Sequence, residues 1–199
     1  MIETIAIIGA GLTGAMAARA LRAQGYAGRL HLIGDESRQA YDRTTLSKAV
    51  LMGEPPEPPA IMDTSWYASA HVDVQLGRRV SCLNVASRQI QFESGAPLAY
   101  DRLLLATGAR ARRVAIPGCE LEGIHTLRDR ADSLALRQAL QPGQSLVIVG
   151  GGLVERLVGQ APGSQGLGIG MGHGGGGLSG GRWCPGWGCR GSAPPRCRC

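Results

Sequence analysis

The segment that most constrains this chain is Gly9-Ala10-Gly11-Leu12-Thr13-Gly14, set directly after the apolar run Ile5-Ala6-Ile7-Ile8. A G-x-G-x-x-G turn between a strand and a helix is the fingerprint of a dinucleotide-binding fold. Gly9 permits the tight turn out of the strand, and Gly11 lets the backbone approach a pyrophosphate. Gly14 lets the helix pack closely on the strand, with its N-terminus facing the phosphates. From Thr13 to Gln24, Ala17 and Leu21 share one helical face, with Arg19 and Arg22 outside it. Gly25 and Gly28 end that helix, and Leu30-His31-Leu32-Ile33 reads as a second strand. It runs into Gly34-Asp35-Glu36, where Asp35 or Glu36 can accept hydrogen bonds from a ribose hydroxyl pair.

The fold class that follows is α/β, a three-layer Rossmann-like FAD/NAD(P)-binding domain. A short helix is predicted around Thr45 to Met52, followed by the stiff connector Glu54-Pro55-Pro56-Glu57-Pro58-Pro59. Short strands near Val72–Leu76, Arg79–Leu83 and Gln89–Phe92 predict a small β insertion at about 72–100. Leu103-Leu104-Leu105-Ala106 reads as a buried strand ending in Thr107-Gly108. A helix from Ala131 to Leu140 leads into Leu146-Val147-Ile148-Val149 and Gly150-Gly151-Gly152. The domain reading is 1–145 for the N-terminal part of a dinucleotide-binding domain, which a resemblance to flavoproteins implies is FAD-binding. Residues 146–154 start a second, NAD-binding domain, and 155–199 form a low-complexity tail.

Charge and cysteine usage narrow the function classes. The net charge of +6 divides unevenly, with +2 over residues 1–154 and +4 over 155–199. The body is near neutral, which argues against a nucleic-acid face. The N-terminus lacks the basic and apolar regions of a signal peptide, and no apolar run reaches the ~18–20 residues that span a bilayer. A cytoplasmic protein without a membrane partner is the expectation. Cys82 and Cys119 stand alone in the body, while Cys184, Cys189, Cys197 and Cys199 crowd the tail in no zinc-binding pattern, so no metal site is expected.

Two further elements bear on the cofactor. Leu103 to Ala109 delivers Ala106-Thr107-Gly108 at the end of an apolar strand, about a hundred residues after the first fingerprint. This resembles the second flavin-contact motif of two-dinucleotide-domain flavoproteins. Val147-Ile148-Val149-Gly150-Gly151-Gly152 is a second strand-plus-glycine start, where such enzymes begin their nicotinamide-nucleotide domain. Lys48 is the only lysine in a chain that otherwise uses arginine, and the two cations are not interchangeable beside a flavin.

Tyr41-Asp42-Arg43-Thr44-Thr45-Leu46-Ser47-Lys48 resembles the Y-[DE]-R-P-P-L-S-K segment of ferredoxin reductases serving aromatic-ring dioxygenases, those of 3-phenylpropionate/cinnamic acid dioxygenation above all. Trp66-Tyr67, Tyr100-Asp101-Arg102-Leu103 and Thr126-Leu127-Arg128 join the resemblance, which covers roughly residues 3–154. It implies FAD as cofactor, NAD(P)H as hydride donor and a [2Fe-2S] ferredoxin as electron acceptor. It further implies that Gly9, Ala10, Gly11, Leu12, Thr13 and Gly14 hold the pyrophosphate and Asp35 or Glu36 the adenosine ribose. Arg43 would contact the phosphate–ribose region, and Lys48 would lie near the isoalloxazine as the catalytic candidate. Val80 would offer backbone contacts to adenine, Ala106, Thr107 and Gly108 would line the flavin edge, and Arg128 would add a further contact. Gly150 and Gly152 would belong to the second nucleotide site.

The chain departs from that pattern in two places. Thr44-Thr45 replaces Pro-Pro, which is expected to loosen the turn. In the second fingerprint Glu155 stands where the third glycine belongs, and Leu157 replaces the usual glutamate. Beyond about residue 154 the composition changes to one-third glycine, within a motif and not at a domain boundary. The expectation is a disordered tail produced by out-of-frame translation, truncation or a sequencing error, and a chain without NADH turnover; the competing reading is a natural short flavoprotein with a glycine-rich tail. A disulfide reductase is disfavoured because Cys82 and Cys119 form neither C-x-x-C nor C-x-x-x-x-C. The alternative function is a non-catalytic flavin- or nucleotide-binding module whose basic tail engages a partner.

Overall fold

The computed structural model describes residues 2–112, 117–140, 145–149 and 165–169. The chain opens β1 (Thr4–Ile8), α1 (Leu12–Ala23) and β2 (Arg29–Ile33), the β-α-β unit that the fingerprint demands. A single 3-10 turn at Arg43–Thr45 precedes α2 (Ala49–Met52) and α3 (Thr64–Ser69). Then come β3 (Val72–Gln75), β4 (Val80–Asn84), β5 (Gln89–Phe92), β6 (Leu98–Ala99) and β7 (Arg102–Leu105). The last elements are α4 (Arg130–Ala139), β8 (Ser145–Val149) and β9 (Gln165–Ile169).

Four strands form a parallel sheet in the order β3-β2-β1-β7. The register pairs Ile7 with Leu32 on one side of β1 and with Leu104 on the other. Ile7, Ala18, Leu30, Leu32, Tyr67 and Val72 close one face of the sheet under α1 and α3. On the other face Ala6, Ile8 and Ile33 meet Ile90, Phe92 and Tyr100 of the antiparallel β4-β5-β6 sheet and its flank. Helices, parallel sheet and antiparallel sheet make the three expected layers.

The details correct several expectations. The β insertion starts at β4, because β3 pairs in parallel with β2 and belongs to the main sheet. Arg22 is not a solvated flank of α1. Its guanidinium donates to the carbonyls of Tyr26, Gly28, Ala70 and His71, so it ties α1 to both connections beside it. The helix expected at Thr45 to Met52 is split. Asp42 caps the 3-10 turn, and Lys48 then adopts φ −127° and ψ −113°, which no helix tolerates.

That turn is not loosened by Thr44-Thr45. Thr44 donates from both its backbone N and its hydroxyl to Asp42 Oδ1, at 2.8 and 2.7 Å, and Thr45 Oγ1 donates to the Asp42 carbonyl at 2.7 Å. Prolines could supply none of these donors. The Thr44 bonds also hold the Asp42 carboxyl below its usual range.

Within the 155–199 stretch, where no strand period was expected, Gln165–Ile169 pairs in parallel with β8. Gln165-Gly166-Leu167-Gly168-Ile169 does alternate glycine with larger residues, a period of two. The expectations for the rest of that stretch, including Glu155 and Leu157, lie outside the described residues.

Candidate functional site

In an open parallel sheet, ligands collect beyond the carboxyl ends of the strands, where the strand order reverses. Here the chain leaves β1 for β2 on one side and returns to β7 on the other, so the reversal lies between β1 and β7. A cavity of about 150 Å³ opens at that place. It is lined by the fingerprint residues 9–13, by Gly34, Asp35 and Glu36 after β2, by residues 38–41 and Arg43, and by Ala106, Thr107, Gly108 and Arg128.

The glycines behave as their spacing requires. Gly9 has φ +115°, and a Cβ there would lie 2.0 Å from the Ala106 carbonyl oxygen, so no side chain fits between the β1 and β7 loops. A Cβ on Gly14 would lie 1.9 Å from the Gly9 carbonyl oxygen and 3.2 Å from Leu32, which fixes α1 close against the sheet. Gly11 is the opposite case: a Cβ there would meet nothing within 4 Å. Gly11 also caps α1 without a side-chain hydrogen bond. The first N–H groups of a helix thus face open space at the cavity wall.

Glu36, Tyr41, Arg43 and Arg128 at the cavity form one connected network. The Glu36 carboxylate accepts a hydrogen bond from the Tyr41 hydroxyl at 2.7 Å and pairs with the Arg43 guanidinium. Arg43 also donates to the Arg128 carbonyl at 3.0 Å and lies over the Tyr41 ring, 5.2 Å from its centroid. Arg128 donates in turn to the Ala109 carbonyl at 2.7 Å, just beyond Thr107-Gly108. Burial, and then the Glu36 hydrogen bond, push the Tyr41 phenol up to about 12, so it remains a donor across the neutral range. Asp35, by contrast, is exposed at the cavity mouth.

Of the expected site residues, the structure therefore gathers Gly9, Ala10, Gly11, Leu12, Thr13, Asp35, Glu36, Arg43, Ala106, Thr107, Gly108 and Arg128 around one space. Gly14 lies beneath the loop, buried. Lys48 is exposed at the start of α2 and is not among the lining residues, and Val80 sits in β4 against the small-sheet core. Gly150 and Gly152 lie outside the described residues. Sequence reasoning missed Arg38, Gln39, Ala40 and Tyr41 as lining residues. Tyr41 stood at the head of the Y-D-R segment, the one available signal.

Two other features lie apart from this site. A broader hollow of about 580 Å³ at the amino ends of β1 and β2 is lined by Ile2, Glu3 and residues 25–29. Its wall holds the Arg29–Glu3 ion pair at 4.0 Å. Cys82 is exposed on β4 and Cys119 is half-buried. Among the described residues no group of three His, Cys, Asp or Glu could hold a metal ion, and no helix is long and apolar enough to cross a membrane.

A family profile described as pyridine nucleotide-disulphide oxidoreductase matches residues 3–154. Over 154 residues the chain is 84% identical to the biphenyl dioxygenase system ferredoxin–NAD(+) reductase component of Paraburkholderia xenovorans (strain LB400), covering 77% of this chain and 38% of that protein. Identity to the 3-phenylpropionate/cinnamic acid dioxygenase ferredoxin–NAD(+) reductase component of Photorhabdus laumondii is lower, 39% over 152 residues, with 76% and 39% covered. Among solved structures, the covalent putidaredoxin reductase–putidaredoxin complex matches with a TM-score of 0.72 at 31% identity, over 78% of this chain and 38% of that chain. The chain spans about two fifths of the length of the curated relatives it matches.

Proposed function

The chain belongs to the pyridine nucleotide-disulphide oxidoreductase family, and from that premise we propose that its body is the FAD-binding part of a ferredoxin reductase. In this reading the parent activity passes electrons from NAD(P)H to a [2Fe-2S] ferredoxin of an aromatic-ring dioxygenase system, in the cytoplasm. The names borne by its relatives support that assignment. The observation that carries it is the convergence of Gly11's open face, the acids after β2 and the Thr107-Gly108 loop on one cavity.

The residues fit a dinucleotide. The open N-terminus of α1 and the bare backbone at Gly11 receive the pyrophosphate, since free N–H groups and the helix dipole both favour an anion there. Asp35 and the remaining lone pairs of Glu36 accept from the adenosine ribose hydroxyls. Arg43 holds the Glu36 carboxylate in place while presenting positive charge toward the phosphates. Arg128 closes the wall beside Gly108. By the family resemblance Val80 would meet the adenine and Lys48 the isoalloxazine, although neither is among the residues lining the cavity. Bound FAD would supply the exchange between a two-electron hydride donor and a one-electron acceptor.

The second fingerprint carries Glu155 in place of its third glycine, which adds bulk and negative charge where a second pyrophosphate would lie. The 199-residue chain is therefore expected to bind FAD without turning over NADH. Reconstitution with FAD, followed by NADH-dependent ferricyanide reduction, tests both halves. Bound flavin with no NADH turnover supports the reading. Failure to retain flavin overturns the cofactor assignment, and robust NADH turnover overturns the loss of the hydride-donor site.

A further inference from the structure

We propose that Tyr41 is a positioning residue for the Glu36 carboxylate, its single hydroxyl proton aimed there by the backbone N–H of Arg130. The inference rests on the FAD reading above and deepens it.

The phenol is 7% exposed and its ring packs with Leu46, Val50 and Leu127, with the Arg43 guanidinium over its face. The ring cannot swing away from the cavity wall. The Arg130 N–H, in the first residue of α4, donates to the Tyr41 oxygen at 3.1 Å. A phenol has one proton to give. With a lone pair taken by Arg130, that proton points at Glu36 Oε2, 2.7 Å away. Glu36 Oε1 is engaged by Arg43, which is anchored in turn on the Arg128 carbonyl. Each carboxylate oxygen thus keeps one lone-pair direction for a ligand, and those directions are fixed from two sides.

Four separate stretches meet in this arrangement: the end of β2, the 3-10 turn, the strap before α4 and α4 itself. Further bonds hold α4 to the turn region. Ser133 Oγ donates to the Leu46 carbonyl at 2.7 Å, and Arg137 donates to that of Val50 at 3.2 Å. The Arg130 side chain pairs with Glu57. The donor that orients Tyr41 is therefore itself immobile. Without the hydroxyl, Glu36 would be held by Arg43 from one side only.

The test is a double-mutant cycle on FAD affinity, read by flavin fluorescence with the full 199-residue chain. Tyr41→Phe should weaken FAD binding about fivefold, the loss of one hydrogen bond to a charged group. Glu36→Gln should weaken it about tenfold, and the double variant should be no worse than Glu36→Gln within about twofold. The ratio of FAD to FMN affinity should fall with Tyr41→Phe, because FMN has no adenosine ribose for Glu36 to meet. Glu36→Asp keeps the charge but withdraws the carboxylate by one methylene, so it should reproduce the Tyr41→Phe loss even if Tyr41→Phe fails to fold. Wild-type-like FAD binding by Tyr41→Phe, losses that multiply in the double variant, or equal losses for FAD and FMN would each overturn the proposal. No FAD binding by the wild-type chain overturns the dinucleotide reading itself, and the positioning role with it.

Discussion

β1 and β7 are neighbouring strands of similar composition, paired residue for residue, yet their side chains meet opposite fates. Ile7 is fully buried while its register partner Leu104 is 38% exposed, and Ile8 is 7% exposed against 59% for Leu105. β1 has a hydrogen-bonded strand on each side; among the described residues β7 has one on one side only. Leu12 and Met16 of α1 are likewise exposed, at 57% and 42%. Apolar composition makes a residue suited to a core, but burial is conferred by what stands on the far side. The run from Leu103 to Ala106, read in the sequence as buried, is half right: Leu103 packs against the small-sheet core and Ala106 against the helix face, while the two leucines between them are open.

The sharpest way to break this comparison is to truncate both members of one pair. Ile7→Ala should cost about 2–5 kcal/mol, since the vacated space under α1 cannot collapse. Leu104→Ala should cost less than about 1 kcal/mol, in proportion to the contact it makes. Urea midpoints at constant slope measure both. Equal losses would show that β7 is covered in solution by something beyond the described residues.

The buried face itself is not uniformly optimised. Tyr67 is 3% exposed beneath α1, and its hydroxyl has no hydrogen-bond partner among the described residues. Burial accordingly raises its phenol pKa. Tyr67→Phe should be neutral to stabilising by up to about 1 kcal/mol, because it removes an unpaired buried donor and keeps the ring. The edge contact between the Trp66 and Tyr67 rings, 5.3 Å apart, should survive. A destabilised Tyr67→Phe would reveal a buried partner for that hydroxyl.

A third comparison concerns the amino ends of the same two strands. Asp101, just before β7, accepts from the backbone N–H groups of Thr4 and Glu3 at 2.9 Å each. Those two bonds, Thr4 first, hold its carboxyl below the usual range. A carboxylate whose folded pKa is depressed stabilises the fold above its unfolded pKa of about 3.9, and loses that contribution as the pH falls through the folded value. Asp101→Asn should therefore lower stability near neutrality and flatten the acid limb below about pH 4. An unchanged acid limb would mean that Asp101 does not fasten β1 to β7.

How much of this was legible in the sequence depends on the range of the interactions. The β-α-β opening, the roles of Gly9 and Gly14 and the gathering of Asp35, Thr107 and Gly108 were readable, because each is set by local pattern or by a motif with a known place. The Asp42 cap on Thr44 and Thr45 was local too, but it ran against an expectation founded on a missing Pro-Pro. Tyr41 and Arg130 are 89 positions apart, and no periodicity links them. Arg22 was misplaced in part for a similar reason: two of its carbonyl partners, Ala70 and His71, lie 48 and 49 positions away. The exposure of Leu104 and Leu105 was the least legible, since residue type alone cannot say on which strand a sheet ends.

The smallest expected effect sharpens the opening contrast furthest. Leu105→Lys introduces a charge where a side chain is already 59% exposed. Lysine can lay its methylene stem along the apolar edge and keep its ammonium in water. Stability should change by no more than about 0.5 kcal/mol, as for other exposed positions. Ile8→Lys, at the paired position in β1, would bury the same charge between two sheets and should prevent folding. The pair separates strand identity from strand position, because the two residues are register partners on neighbouring strands and receive the same substitution. Thermal unfolding followed by circular dichroism reads both. If Leu105→Lys proved as damaging as Ile8→Lys, β7 would be an interior strand, and its exposure would have to be filled by a neighbour beyond the described residues. If it is silent, β7 is an edge, and the lysine also guards its unpaired backbone against pairing with another chain.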